Sequence, residues 1–120
     1  MSQPTLIWLQ SSPYNSSAAR EALDYTLALA AVDCPVQLLL SGPAVCLLLP
    51  NNDFSAALQL KDCSKLLGLL PLYDLAAPLV CQDSLHQYQI DPKQLHHAIT
   101  RLSRQQLAER LALCQQVVTF

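Results

Sequence analysis

The side chains of this sequence best suited to covalent chemistry are its five cysteines, Cys34, Cys46, Cys63, Cys81 and Cys114. Their number is odd, and the nearest pair, Cys34 and Cys46, is twelve positions apart. No Cys-x-x-Cys pair exists, so neither a zinc knuckle nor a thioredoxin-type motif can be drawn. Cys81 has the most favourable setting. It closes the apolar, β-prone run Leu79-Val80, and Ser84 to Gln89 reads as a short helix directly after it. Sites in open α/β sheets gather at the carboxyl ends of strands. A thiol at a helix N-terminus is favoured as the thiolate, the form that attacks a persulfide. Asp83, two residues on, works against this, because a neighbouring negative charge disfavours a thiolate. The competing reading is a packed thiol, since buried free cysteine behaves as a small hydrophobe. That reading fits Cys34, Cys46, Cys63 and Cys114. Cys46 lies inside an apolar run, and Cys114 joins the last helix to the last strand.

Other chemistries find less support. His86, His96 and His97 form no His-x-x-x-His or Cys/His ligand set. His96 and His97 are adjacent, so on a strand they point to opposite faces. Solvated or interface histidines are the simpler account, and no metal is expected. The chain has two glycines, Gly42 and Gly68, and neither a P-loop nor a G-x-G-x-x-G fingerprint can be written. No nucleotide or other cofactor is expected. Arg20, Glu21 and Asp24 either line the loop end of the sheet or form a solvated helix face.

The elements that position these residues alternate. Thr5–Leu9 reads as a buried strand. Ser11–Ser17 is loop composition, with Ser16 or Ser17 as cap of a helix over Ala18–Ala31. Its wet face is marked by Arg20, Glu21 and Asp24, and its packing face by Ala19, Leu23, Leu27 and Ala30. Val36–Leu40 is a second strand, Ala44–Leu49 a short helix, and Asn51–Asp53 a loop. Phe54–Leu70 suits one or two helices, closed by Gly68 and Pro71. A third strand covers the second half of Tyr73–Val80 and leads into Cys81. Asp91-Pro92 is a turn, and His97–Leu102 is a fourth strand. Ser103 caps a helix running to Leu113, and Gln115–Phe120 ends the chain as a strand. Short apolar strands alternating with helices imply a mainly parallel sheet of about five strands with helices on both faces, a single α/β domain over residues 1–120.

Composition narrows the function classes. Apolar residues make up 52% of the 120 and charged residues 13%, against a usual charged fraction of about 25%. Such a chain has material for a core and too little charge to cover its outside, so excess apolar surface should meet a partner subunit. Net charge is -2 and the seven basic residues are scattered. Direct nucleic-acid binding is not expected, because phosphate neutralisation dominates that affinity. No apolar run approaches the ~18 residues of a membrane span. Thr5–Leu9 is too short for a signal-peptide core. The expected location is the cytoplasm, with free thiols.

Several stretches together resemble the TusC/DsrF branch of the DsrE-like sulfur-relay proteins. They are the first strand with Ser11–Tyr14 and Ala19–Asp24; Val36–Leu40 with Gly42 and Val45–Pro50; Lys65–Leu69 with Leu72-Tyr-Asp74; Val80–Leu85 ending at Ile90-Asp-Pro92; and Val117–Phe120. Their order spans nearly the whole chain. The resemblance implies a three-layer α/β/α fold and a TusB–TusC–TusD type complex, a dimer of heterotrimers with TusB-like and TusD-like partners. Such complexes pass persulfide sulfur from a TusA-like donor to a TusE-like acceptor and on to 2-thiouridine at the tRNA wobble position. The related DsrE, DsrF and DsrH subunits serve dissimilatory sulfur oxidation instead. Cys81 falls where the cysteine of DsrE/TusD relatives lies, although in the family the TusD-like chain is the sulfur carrier. Three functions follow as expectations: a docking subunit of a sulfurtransferase complex, not catalytic alone; a persulfide carrier through Cys81; or a ligand-binding α/β domain unrelated to sulfur.

Overall fold

A computed structural model describes residues 4–12, 17–48, 67–95 and 98–120. Several sequence expectations lie outside these residues: Ser16, Leu49, Asn51–Asp53, Phe54–Leu70 as far as residue 66, Cys63, His96 and His97.

Five parallel strands form one sheet: β1 (Thr5–Leu9), β2 (Val36–Leu40), β3 (Leu79–Cys81), β4 (Thr100–Leu102) and β5 (Gln116–Thr119), in the order β4-β3-β2-β1-β5. Three α-helices are described, α1 (Ala18–Ala31), α2 (Gln82–Gln87) and α3 (Arg104–Leu113), with 3-10 helices at Gly42–Leu48, Leu70–Tyr73 and Pro92–Gln94. The expected α/β architecture with helices on both faces is the one found.

The strand order dictates which helix lies where. From β1 to β4 the chain steps steadily toward one edge, and right-handed crossovers then keep the connections on one face. From β4 to β5 it must return across the whole sheet, which sends α3 to the other face. Side-chain alternation along the strands matches this division. Ile7, Leu9, Leu38, Leu40 and Val80 pack with Ala19, Ala22, Leu23 and Leu27 of α1, with Val45 and Leu48, and with Leu85 of α2. Leu6, Leu39, Leu79 and Leu102 form a separate cluster under Trp8, Leu107, Leu111 and Cys114. The first face is thickly covered. Among the described residues, the second carries one ten-residue helix with no buried residue, and Leu113 and Val117 are 60% and 40% exposed.

Some caps, boundaries and helix types differ from expectation. Ser17 begins α1, but its hydroxyl donates to Glu21 Oε1 at 2.9 Å and makes no bond to the helix backbone. The helix expected at Ser84–Gln89 starts two residues earlier, at Gln82, with Cys81 as N-cap. The segment expected as a short helix from Ala44 is a 3-10 helix over Gly42–Leu48. The fourth strand is only Thr100–Leu102. Ser103 caps α3 as expected: Gln106 N–H donates to Ser103 Oγ at 3.3 Å, and Ser103 N–H donates back to Gln106 Oε1 at 2.8 Å.

With so few glycines the chain ends its helices on other residues. Asp33, Asp74 and Gln89 take the left-handed conformation at φ 60°, 59° and 56°. Each closes a double-bonded C-terminal turn: Asp33 N–H bonds to Ala30 O and Cys34 N–H to Leu29 O, and the pattern repeats at Asp74–Leu75 and Gln89–Ile90.

Candidate functional site

The carboxyl edge of the sheet brings together Cys81, Ser41, Trp8, Ser84 and the Asp83–Arg104 pair. Cys81 is the last residue of β3 and lies opposite Leu102 of β4. It is extended (φ −67°, ψ 118°) and half-buried, and its side chain makes no capping bond to α2. The expectation that Cys81 sits where a strand gives way to a helix is met by its geometry.

Two side-chain bonds frame this edge, joining residues far apart in sequence. Trp8 Nε1–H donates to Ser41 Oγ at 2.8 Å, tying the end of β1 to the turn after β2. The next residue, Gly42, donates its N–H to Ser84 Oγ at 2.8 Å, tying that turn to α2. Ser84 is buried, and this bond gives its hydroxyl a partner. Gly42 takes φ 58°, a conformation glycine adopts without steric cost. Sequence reading singled out neither Trp8 nor Ser41. Their partnership depends on strand register, and no local pattern signals it.

The electrostatic setting is mild. Asp83 Oδ2 lies 3.7 Å from Arg104 Nη2, with the side chains 63% and 91% exposed. Arg104 thus faces the carboxylate that argued against a thiolate at Cys81, but solvent screens so exposed a pair strongly. His86 is exposed on α2. Among the described residues, no group of three or more His, Cys, Asp or Glu side chains could hold a metal ion. Grooves of 430, 380 and 290 Å³ are lined by other parts of the chain and do not include Cys81.

The remaining described cysteines are dispersed. Cys34 is exposed, and Cys46 and Cys114 are half-buried. Burial pushes the Cys46 thiol above its usual range. Burial also pushes Cys114 up, with the charge of Arg110 acting in the opposite sense. Cys114 Sγ–H donates to Arg110 O at 3.1 Å, so this thiol serves the end of α3. Arg20, Glu21 and Asp24 are exposed on α1, with Arg20 and Asp24 paired at 3.9 Å, as a solvated helix face requires. No helix among the described residues is long and apolar enough to cross a membrane.

Comparison with known proteins adds to this geometry. The model of the DsrE/DsrF-like family matches residues 4–120. A protein of Pseudomonas aeruginosa named Protein TusC homolog is 35% identical over 120 residues, the whole of both chains. A protein of the same name from Aliivibrio fischeri is 32% identical over 92% of this chain and 93% of its own. Among solved structures, the ychN protein from E. coli superposes with a TM-score of 0.79 at 19% identity, covering 98% of this chain and 99% of that one. That likeness bears on the fold alone.

Proposed function

The chain belongs to the DsrE/DsrF-like family, and from that premise we propose that it is a subunit of a heteromeric sulfur-relay complex of the cytoplasm. Its role there is mainly docking. The observation that carries this reading is the end-to-end match to proteins named Protein TusC homolog. The complex would contain TusB-like and TusD-like chains as a dimer of heterotrimers. It would receive persulfide sulfur from a TusA-like donor, pass it to a TusE-like acceptor, and serve 2-thiolation of the wobble uridine of tRNA.

Among the described residues, the thin cover on the second sheet face supports a docking role. Apolar residues left 40–60% exposed there, Val117 and Leu113, favour a chain that is completed by neighbours. Co-expression with TusB-like and TusD-like chains, followed by size-exclusion chromatography with light scattering, tests this. A stable assembly containing all three chains is expected. A monomer indifferent to both partners would refute it.

A second reading is favoured by the place of Cys81 at the carboxyl end of β3. Its thiolate would attack the outer sulfur of a donor persulfide, forming a Cys81 S–S bond and releasing the donor's thiolate. Mass spectrometry of the assembled complex after loading decides between the two. A gain of one sulfur atom on Cys81 supports the carrier role. Loading confined to the TusD-like chain supports docking alone.

A further inference from the structure

Little holds α3 to the rest of the fold. It has no buried residue, whereas α1 buries Ala19, Ala22, Leu23, Thr26 and Leu27. Its grip on the sheet is a narrow stripe, Leu107 and Leu111 with Cys114 after them, laid over Leu6, Leu39, Leu79 and Leu102. The polar bonds at its two ends are made within the helix itself. Ser103 and Gln106 bond to each other at the start, and Cys114 Sγ–H donates to Arg110 O at the finish. Among the described residues, its polar tie to another element is the Arg104–Asp83 pair, whose side chains are 91% and 63% exposed and therefore strongly screened.

The connection is also long enough to come loose without disturbing the sheet. β4 and β5 form opposite edges, with three strands between them, a separation of roughly 19 Å at ~4.8 Å per strand spacing. Residues 103–115 join them and reach up to about 43 Å when extended, at ~3.3 Å per residue. Unwinding α3 therefore pulls neither strand from its neighbour. A helix of ten residues is too short to persist alone in water, so α3 loses its backbone bonds once it leaves the sheet.

Cys81 lies on the face that α3 covers. Side chains alternate along β3, Leu79 belongs to the cluster beneath α3, and Cys81 pairs with Leu102 of the same cluster. The first turn of α3 follows Leu102 directly, and Arg104 reaches Asp83, two residues past Cys81.

We propose that α3 is a hinged cover: it lifts from the sheet as a unit while β1, β2 and α1 stay folded, and its opening bares the face on which Cys81 sits. Elements held by few buried apolar contacts open at a lower free energy than the core. The cover thereby sets how readily a thiol-reactive partner reaches Cys81. It is a property of this chain alone and stands apart from the sulfur-relay reading.

Native-state hydrogen exchange on the full wild-type chain, in urea below the unfolding transition, tests this. The amides of Leu107–Leu113 should exchange with one shared opening constant, about ten-fold or more above that of the β1, β2 and α1 amides. Alkylation of Cys81 by iodoacetamide, followed over the same urea series, should accelerate in parallel with that exchange. Alkylation of exposed Cys34 should not change with it. An α3 opening constant equal to that of β1 would show that α3 leaves only when the whole domain unfolds, and would overturn the proposal. Protection that declines gradually toward the helix ends would show fraying in place of lifting, and would overturn it too. So would a Cys81 rate that stays flat while α3 opens. None of these measurements involves a partner chain or a sulfur donor, so their failure leaves the sulfur-relay reading in place.

Discussion

Replacing Ser84 with alanine should loosen the carboxyl edge by an amount the structure allows one to work out. Ser84 is 6% exposed, and its Oγ accepts the Gly42 N–H at 2.8 Å. Removing the acceptor leaves that N–H without its partner in a part-buried place. Such a loss costs about 1–3 kcal/mol. Two effects reduce it: water can reach the half-exposed Gly42, and alanine favours helix by up to ~0.7 kcal/mol. A net loss of about 1–2 kcal/mol is expected. For a domain of this size an unfolding entropy of about 2.1 cal/mol/K per residue makes that roughly 4–8 °C in Tm. Because Ser84 ties α2 to the turn after β2, and Cys81 is the N-cap of α2, Cys81 should also become more reactive toward iodoacetamide. Alkylation of the distant Cys34 should stay the same. Thermal melting and peptide-resolved alkylation read the two effects. Unchanged Tm with unchanged Cys81 reactivity would refute the claim that this bond frames the edge.

Other perturbations have equally definite outcomes. Ser103→Ala removes the hydroxyl that accepts the Gln106 N–H, while the backbone N–H of residue 103 can still donate to Gln106 Oε1; it should cost about 0.5–2 kcal/mol, read by urea denaturation. Gln89→Gly relieves a left-handed side-chain residue at a helix end and should stabilise by about 0.5–1 kcal/mol, visible as a raised urea midpoint. The thiols of Cys46 and Cys114, raised by burial, should alkylate more slowly than exposed Cys34 near pH 8. A raised thiol pKa favours the protonated folded form, so its stabilisation is fully present below the unfolded value of about 8.5. It is lost as pH climbs through the higher folded values. Urea midpoints measured from pH 7 to 10 should therefore fall at the alkaline end, and less steeply in Cys46→Ala/Cys114→Ala.

The parts of the fold that sequence reading located well are those where local chemistry and tertiary burial agree. β1, β2 and α1 are continuous apolar or Ala/Leu-rich segments with clear ends, and Ser103 is an N-cap with its Gln106 partner three residues on. Misplaced boundaries lie where a distant partner decides. The helix expected from Ser84 begins at Gln82, and Ser84 Oγ instead accepts the N–H of Gly42, forty-two positions away, a partner no local pattern signals. β4 is a three-residue edge strand with one buried side chain, too short for alternation to show. The strand-end position of Cys81 was legible from the apolar run before it. The Trp8–Ser41 bond was not, because it exists only once β1 and β2 are in register.

The docking role in a sulfur relay can be read from tRNA 2-thiouridine in cells lacking this chain. Its content would be measured by nucleoside mass spectrometry after complementation with the wild-type chain or with Cys81→Ser. 2-thiouridine should be lost without the chain and restored close to normal by both versions, with the variant checked separately for folding and assembly. Undiminished 2-thiouridine in the absence of the chain would rule out a role in this relay. A folded, fully assembled Cys81→Ser complex that makes no 2-thiouridine would contradict the docking role and place this subunit in the path of the sulfur itself.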